Sequence, residues 1–207
     1  YVMNGELNTN EGTLNHRFVL YSTPKNALIY LDYVTANADA TIIAEKGGLL
    51  AISTDELMKT SRTLYYMGGQ QTTDGSKMVT FESPWVNIDN ELGVINVNPN
   101  PNDNTNPALP LGGVGGGFIA FGDRTANNSI YTSKLYPLYS NIPRKVEAGE
   151  VVDARNLVYY SRINAKQTEK MASKLVSLKD KLPEGWNGVI VPDAGCTYLL
   201  ISNFKGD

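Results

Sequence analysis

The sequence predicts a mainly β protein, an antiparallel β-sandwich that carries one amphipathic helix near its C-terminus. Short runs of β-branched and aromatic residues recur at intervals of about 8–12 residues, with turn-forming residues between them, which is typical of a sandwich. Only one segment, at about 165–182, shows helical periodicity instead. With 207 residues, of which 42% are hydrophobic, the chain can bury a core without disulfide or metal support.

Strand signals dominate the first half of the chain. The segments 22–26 and 89–91 separate pairs of apolar runs, and their Pro, Asn and Asp residues favour tight turns. The Lys-Gly-Gly segment 46–48 lies between two further apolar runs, which predicts a hairpin with a glycine at positive φ. The predicted strands of this half cover residues 17–21, 27–33, 41–44, 49–52, 61–67, 77–81, 85–88 and 93–97.

The segment 98–117 interrupts the strand pattern. Its first part is rich in Asn and Pro and its second part in Gly, so neither part sustains a helix or a strand ladder. We expect a long flexible loop within a single domain that spans 1–207, and the alternative is two subdomains, 1–97 and 118–207, hinged there. The Gly run leads into an apolar strand-like segment without a following Lys-Ser or Lys-Thr, which disfavours a phosphate-binding loop.

One helix and a terminal hairpin characterise the end of the chain, after predicted strands at 118–121, 151–152 and 156–160. Asn164 is placed to cap the helix, with Gln167 in the capping-box position, and Pro183 is expected to stop it. The apolar stripe consists of Met171, Leu175, Leu178 and Leu182, and five lysines are expected to face water: Lys166, Lys170, Lys174, Lys179 and Lys181. Strands 186–191 and 196–201, joined at 192–195, form the predicted hairpin against which the helix packs.

Composition excludes several classes of function. A net charge of −3 and a pI near 5.3 argue against a nucleic-acid-binding protein, which needs a clustered basic face. A single cysteine, Cys196, excludes an intrachain disulfide, and a single histidine, His16, excludes a multi-histidine zinc site. The segment 98–106 holds one carboxylate, Asp103, too few for calcium, so we expect no metal and no cofactor. No apolar run approaches the ~18–20 residues of a membrane span.

Carboxylates are the main candidates for catalysis, because glycoside hydrolysis can run on two acids about 5–10 Å apart. Asp89 and Asp123 form the pair that we consider first, although turn acids usually bind their own backbone. The full set of candidate acids is Asp32, Asp89, Glu91, Asp123 and Asp153. A dyad of Cys196 with His16 is a weaker option, since these residues lie 180 positions apart and Cys196 falls in an apolar β run. No catalytic residue is assigned.

Aromatic side chains are the second candidate feature, because Tyr and Trp stack on sugar faces and also offer a polar group. The predicted glycan contacts are Trp85, Trp186, Tyr66, Asp89 and Arg124. We expect an exposed Trp85 or Trp186 to form the stacking platform. The alternative for both tryptophans is a place in the core, since each precedes a predicted strand.

Five segments give the chain a recognisable resemblance. They read KTSRTLYY (59–66), SPWVNIDNELG (83–93), GFIAFG (117–122), GWNGVIV (185–191) and DAGCTYLLISN (193–203). In this order they resemble the β-sandwich region that follows the catalytic part of large secreted bacterial polysaccharide-degrading enzymes, either glycoside hydrolases or polysaccharide lyases. These are strand and turn motifs, so the resemblance transfers no catalytic residue.

The resemblance implies an exported accessory module that supports the catalytic part of its parent enzyme or contacts glycan. Its partners would be a polysaccharide or the parent enzyme's catalytic domain, in the periplasm, at the cell surface or outside the cell. The first residue, Tyr1, also favours a processed chain or a part of a larger protein. Two alternatives stay open: a catalytic hydrolase or lyase domain with paired carboxylates, and a surface structural or interaction protein without a ligand.

Overall fold

The computed structural model describes residues 1–8, 11–42, 52–53, 62–73, 79–81, 83–97, 118–124, 131–137 and 144–203. Within these residues the protein is mainly β with antiparallel sheets and a single helix, as predicted. The predicted loop at 98–117 and the predicted turn at 46–48 lie outside the described residues. The single helix is 15 residues long, and no helix of the described chain is long and apolar enough to cross a bilayer.

The strands and the helix have the following bounds. The first eight strands are β1 (Val2–Asn8), β2 (Thr13–Ser22), β3 (Ala27–Ala36), β4 (Ala40–Ile42), β5 (Ile52–Ser53), β6 (Arg62–Tyr66), β7 (Gly69–Thr73) and β8 (Val79–Phe81). The next six are β9 (Trp85–Ile88), β10 (Leu92–Asn96), β11 (Phe118–Arg124), β12 (Tyr131–Pro137), β13 (Arg144–Val146) and β14 (Val151–Ser161). Helix α1 (Ala165–Lys179) follows, and β15 (Asn187–Asp193) and β16 (Cys196–Asn203) complete the chain.

An eight-stranded antiparallel sheet, which we call the main sheet, organises the fold. Its strand order is β1-β2-β3-β14-β10-β9-β6-β7, so that the two long strands β3 and β14 are neighbours inside it. A second sheet has the order β5-β12-β11-β8, and two further pairs are β13-β4 and β15-β16. Inner strands of the main sheet bury side chains on both faces, which explains why β3 reads as a nearly continuous apolar run.

Helix α1 and the β15–β16 hairpin pack on one face of the main sheet, which we call the helix face. The core on this face joins sheet residues to Ala172 and Leu175 of α1 and to Val189 and Val191 of β15. The sheet contributes Val19, Ala27, Ile29, Leu31, Trp85, Ile95, Val97, Val158 and Tyr160. The other face, which we call the opposite face, buries Tyr30, Leu64, Val86, Ile88, Val94, Leu157 and Tyr159. Alternation along each strand separates the two sets.

The start of α1 is held by the hairpin formed by β9 and β10. The Asn87 side-chain amide donates to the Ile163 carbonyl and to the Thr168 hydroxyl, both at 2.8 Å. A Cβ atom on Gly93 would lie 2.5 Å from the Thr168 hydroxyl oxygen, so only glycine lets the helix approach this closely. The capping box of Asn164 and Gln167 is present as predicted.

The helix ends slightly earlier than predicted, because the amides of Lys181 and Leu182 bond to carbonyls three residues back and not four. The amide of Asp180 donates to Val176 and Leu178, and the amide of Leu182 donates to Lys179. The prediction that all five lysines face water is wrong for Lys179. This side chain is half-buried, and burial lowers its pKa while the nearby Asp180 carboxylate partly offsets that effect.

Hairpin turns confirm the predicted turn chemistry. Asp89 and Asn90 both have positive φ, and the Glu91 amide donates to the Ile88 carbonyl at 3.0 Å, as a primed turn requires. A two-residue turn joins β15 to β16, and both of its residues, Ala194 and Gly195, also have positive φ.

Strand pairing departs from the prediction at several points. The described part of the run 41–44 belongs to β4, which pairs with β13, and β5 pairs with β12. Most of the predicted hairpin between these runs lies outside the described residues, so it stays a prediction. Strands β1, β7, β12 and β13 were not predicted. The sequences of β1 and β7 are largely polar or contain Gly, which weakens the strand signal. The two short strands predicted at 151–152 and 156–160 form one strand, β14, with a register shift between Val151 and Asp153.

Candidate functional site

Trp186 is the predicted glycan contact whose side chain is exposed in the described structure. Its side chain is 38% exposed and lies at the junction between the end of the helix segment and β15. The backbone there is ordered by a bond from the Trp186 amide to the Pro183 carbonyl at 3.1 Å, and Gly185 turns the chain with a φ of +85°. The indole is therefore an exposed group on a well-defined backbone.

Trp85 lies in the core, so the prediction that it could form an exposed platform is wrong and the core alternative is confirmed. Its side chain is 6% exposed and belongs to the helix-face core. The reason is its position at the first residue of β9, an inner strand, where its side chain points to the helix face. Ser83 also holds the backbone here, since its hydroxyl donates to the Trp85 carbonyl at 2.5 Å.

Two of the other predicted contacts, Tyr66 and Asp89, take part in holding the fold together. Tyr66 is half-buried and packs against the opposite-face core, and its ring leaves little room for a side chain at Gly69. The Asp89 carboxylate accepts the Thr63 amide at 2.8 Å, as turn acids commonly do. Arg124 ends β11, where it pairs with Tyr131, but its side chain lies outside what the structure describes.

In the described structure, Asp89, Trp186 and Tyr66 lie on different parts of the fold. The turn that carries Asp89 adjoins the start of α1, because the Ala165 amide donates to the Asn90 side chain at 2.9 Å. Trp186 instead follows the other end of this helix, whose 15 residues span about 22 Å. Tyr66 packs on the opposite face of the main sheet. A glycan contact that uses Trp186 must therefore draw its polar partners from near the C-terminal end of α1.

The buried pair of His16 and Asp32 was missed by the sequence analysis, which considered the two residues separately. His16 Nε2 lies 2.5 Å from Asp32 Oδ1, and both side chains are buried on neighbouring strands β2 and β3. The register pairs His16 with Val34, so Asp32 is its diagonal neighbour on the same face. Counting back along both predicted strands from the turn at 22–26 would have revealed this proximity.

The surroundings of the pair favour a role in stability. The ring centroids of His16 and Phe18 lie 5.9 Å apart, and those of Phe18 and Tyr30 lie 6.1 Å apart. Cys196 is exposed in the β15–β16 hairpin on the helix face, so the alternative of a Cys196–His16 dyad is wrong. Removing one member of a buried hydrogen-bonded pair takes that bond from the other member, which costs more than the intact pair contributes.

The candidate acids are only partly described. Asp32 is paired with His16, Asp89 binds the Thr63 backbone and Glu91 is exposed. The side chains of Asp123 and Asp153 lie outside the described structure, so the predicted pair of Asp89 and Asp123 stays a prediction. Within the described residues, no group of three or more His, Cys, Asp or Glu side chains could hold a metal ion.

A polar cluster fixes the terminal hairpin to the main sheet. The Asp193 carboxylate accepts the Thr23 hydroxyl and the Asn26 amide, the latter at 2.9 Å. The Tyr160 hydroxyl donates to the Pro192 carbonyl at 2.8 Å, and burial, together with the Asp193 charge, raises the pKa of Tyr160. The hairpin that begins next to Trp186 is therefore anchored at its far end as well as by its buried valines.

No protein-family model and no curated protein sequence matches the chain.

Proposed function

We propose that the chain is an accessory β module of an exported carbohydrate-active enzyme and that it contacts glycan through the indole of Trp186. The observation that carries this proposal is the 38% exposure of a tryptophan whose backbone is held by its neighbours. An aromatic side chain on a fixed backbone has few rotatable bonds, so it loses little conformational freedom when a sugar stacks on it. Trp186 also belongs to one of the five segments that resemble accessory regions of polysaccharide-degrading enzymes.

The backbone that carries the Trp186 indole is anchored in the core, which supports this function. Gly188, two residues after Trp186, is buried, and Val189 and Val191 of β15 pack in the helix-face core. Exposed Glu184 lies two residues before Trp186 and can accept hydrogen bonds from sugar hydroxyl groups. The module would work either by holding the substrate near the catalytic part of the parent enzyme or by supporting that part directly.

The two tryptophans provide an internal control for a binding experiment. Polysaccharides are titrated against the chain while acrylamide quenching of tryptophan fluorescence is measured, for the wild type and for Trp186→Phe. A glycan that stacks on Trp186 should protect the quenchable fraction in the wild type. The variant should show no such protection, because its remaining indole, Trp85, is shielded in the core before any glycan is added.

Two results would overturn the proposal. If no polysaccharide in a panel of neutral and acidic polymers protects Trp186, this residue is not a glycan contact. If the chain itself releases reducing ends or unsaturated sugars from any polymer, it is a catalytic domain, and the alternative based on paired carboxylates replaces the accessory assignment.

A further inference from the structure

Three lysines form a basic row on the exposed side of α1. Lys166, Lys170 and Lys174 follow one another at intervals of four residues, and all three are exposed. Residues with this spacing lie on one side of a helix, and each step advances about 6 Å along its axis. We call these residues the lysine row. It lies away from the buried residues Thr168, Ala172 and Leu175, which face the sheet.

The lysine row opposes the stability of the helix that carries it. Lys166 lies in the first turn, where the helix dipole favours acidic residues and where this helix has none. Lys166 with Lys170, and Lys170 with Lys174, are like charges at i,i+4, which destabilise a helix. The spacing of these charges is therefore not one that the local electrostatics of the helix favours, and departures from local stability rules are expected at functional positions.

Acidic side chains do not neutralise the row within the described structure. Glu169 is the single acid of α1, and within the described residues no ion pair of Lys166, Lys170 or Lys174 is found. Exposed Asp180 and Glu184 lie beyond the C-terminal end of the helix. The whole chain carries a net charge of −3, so the row is a local exception to the charge of the protein. A row of cations in this setting attracts an anionic ligand at short range.

Trp186 follows the C-terminal end of the helix that carries the lysine row. Exposed Lys181 follows the helix by two residues, and its amide donates to the Leu178 carbonyl at 3.0 Å, which keeps it in the last turn. Five residues separate Lys181 from Trp186, and the Trp186 amide closes a turn onto Pro183. Even fully extended, five residues span at most about 18 Å, so the backbone of Trp186 lies within that distance of Lys181, beyond the C-terminal end of the helix that carries the row.

We propose that the lysine row binds the carboxylate or sulfate groups of an acidic polysaccharide, one sugar of which stacks on Trp186. This inference rests on the proposed function and narrows its substrate to acidic glycans. The row is one charge wide and has exposed Ser173 and Ser177 beside it, which suits a single linear chain with one acidic group on each sugar. A duplex nucleic acid or an anionic bilayer would need a broad basic face, which a chain of net charge −3 opposes.

The test compares a polyuronate with its neutral derivative. Calorimetric titration measures binding of polygalacturonate and of the fully methyl-esterified polymer, while acrylamide quenching reports on Trp186. The test variant is the triple substitution K166Q/K170Q/K174Q, which keeps residues of similar helix propensity. The control is K25Q/K145Q, since Lys25 and Lys145 are exposed lysines on other parts of the fold.

We expect the wild type and the control to bind polygalacturonate more tightly than the ester. The triple variant should lose about tenfold in affinity for the acid if each exposed charge contact contributes a factor of two to three. Its affinity for the ester should not change. Added salt should weaken the acid complex of the wild type much more than that of the triple variant.

Each outcome separates the two proposals. Equal binding of acid and ester, or an unchanged affinity in the triple variant, overturns the lysine row even if Trp186 is protected by glycan. Lysine-dependent binding without protection of Trp186 supports the row and overturns the stacking platform. Binding of a single-stranded DNA oligomer as tight as that of polygalacturonate would show a general polyanion site and overturn the glycan assignment.

Discussion

Truncation of Leu175 tests whether α1 is an integral part of the core. Leu175 is fully buried and joins the helix to the helix-face core, whereas its neighbour Val176 is 40% exposed. Leu175→Ala removes three carbon atoms from a packed site without weakening the intrinsic helix propensity. Val176→Ala makes a similar reduction on the solvent side of the same turn and is therefore the matched control.

The expected destabilisation follows from the burial of Leu175. Buried leucine to alanine substitutions cost about 2–5 kcal/mol, and a fully enclosed site between a helix and a sheet should fall near ~3 kcal/mol. With a urea dependence of about 2–3 kcal/mol per molar, the unfolding midpoint should fall by about 1 M or more. Val176→Ala should change the free energy of unfolding by less than about 0.5 kcal/mol.

Urea unfolding followed by tryptophan fluorescence in a Trp186→Phe background measures this effect, because Trp85 lies in the same core as Leu175. A midpoint for Leu175→Ala no lower than that of Val176→Ala would refute the packing argument. The helix would then be an appendage of the main sheet, and the lysine row would not be rigidly placed relative to Trp186.

Two further predictions concern buried polar groups. His16→Ala should destabilise the protein by roughly 3–5 kcal/mol, because Asp32 loses its buried bond to His16. The double variant His16→Ala/Asp32→Ala should lose clearly less free energy of unfolding than the two single variants added together. If urea unfolding shows additive losses, the two residues are not coupled. Burial raises the pKa of Tyr159, so above the ordinary tyrosine pKa of about 10 this residue ionises freely only in the unfolded state. The free energy of unfolding should therefore be unaffected below about pH 10 and should fall as the pH rises above it. In an alkaline titration, tyrosinate absorbance from Tyr159 should appear together with unfolding, and ionisation in the folded state would contradict this.

Local features of the chain were predictable because neighbouring residues specify them. The cap formed by Asn164 and Gln167 needs only residues three positions apart, and the turn at 89–91 depends on residues that tolerate positive φ. The glycine at 93, in contrast, was read only as part of a strand. Its role in admitting Thr168 depends on a helix that lies 75 residues later in the chain.

The candidate site was harder to predict than the elements that carry it. Trp85 and Trp186 both lie at the start of a predicted strand, and nothing in their local sequence separates them. Trp85 begins an inner strand of the main sheet and is buried, whereas Trp186 precedes the β15–β16 hairpin and is exposed. The pairing of β4 with β13 likewise depends on contacts over about a hundred residues.

The amino-acid sequence alone determined the mainly β character, the position and cap of α1 and the chemistry of its turns, because these depend on interactions within a few residues. The tertiary structure decided which tryptophan side chain is exposed to solvent and that His16 meets Asp32. These properties depend on which strands become neighbours and which face each strand presents, and a shift of one residue in register reverses the exposure of every side chain in a strand.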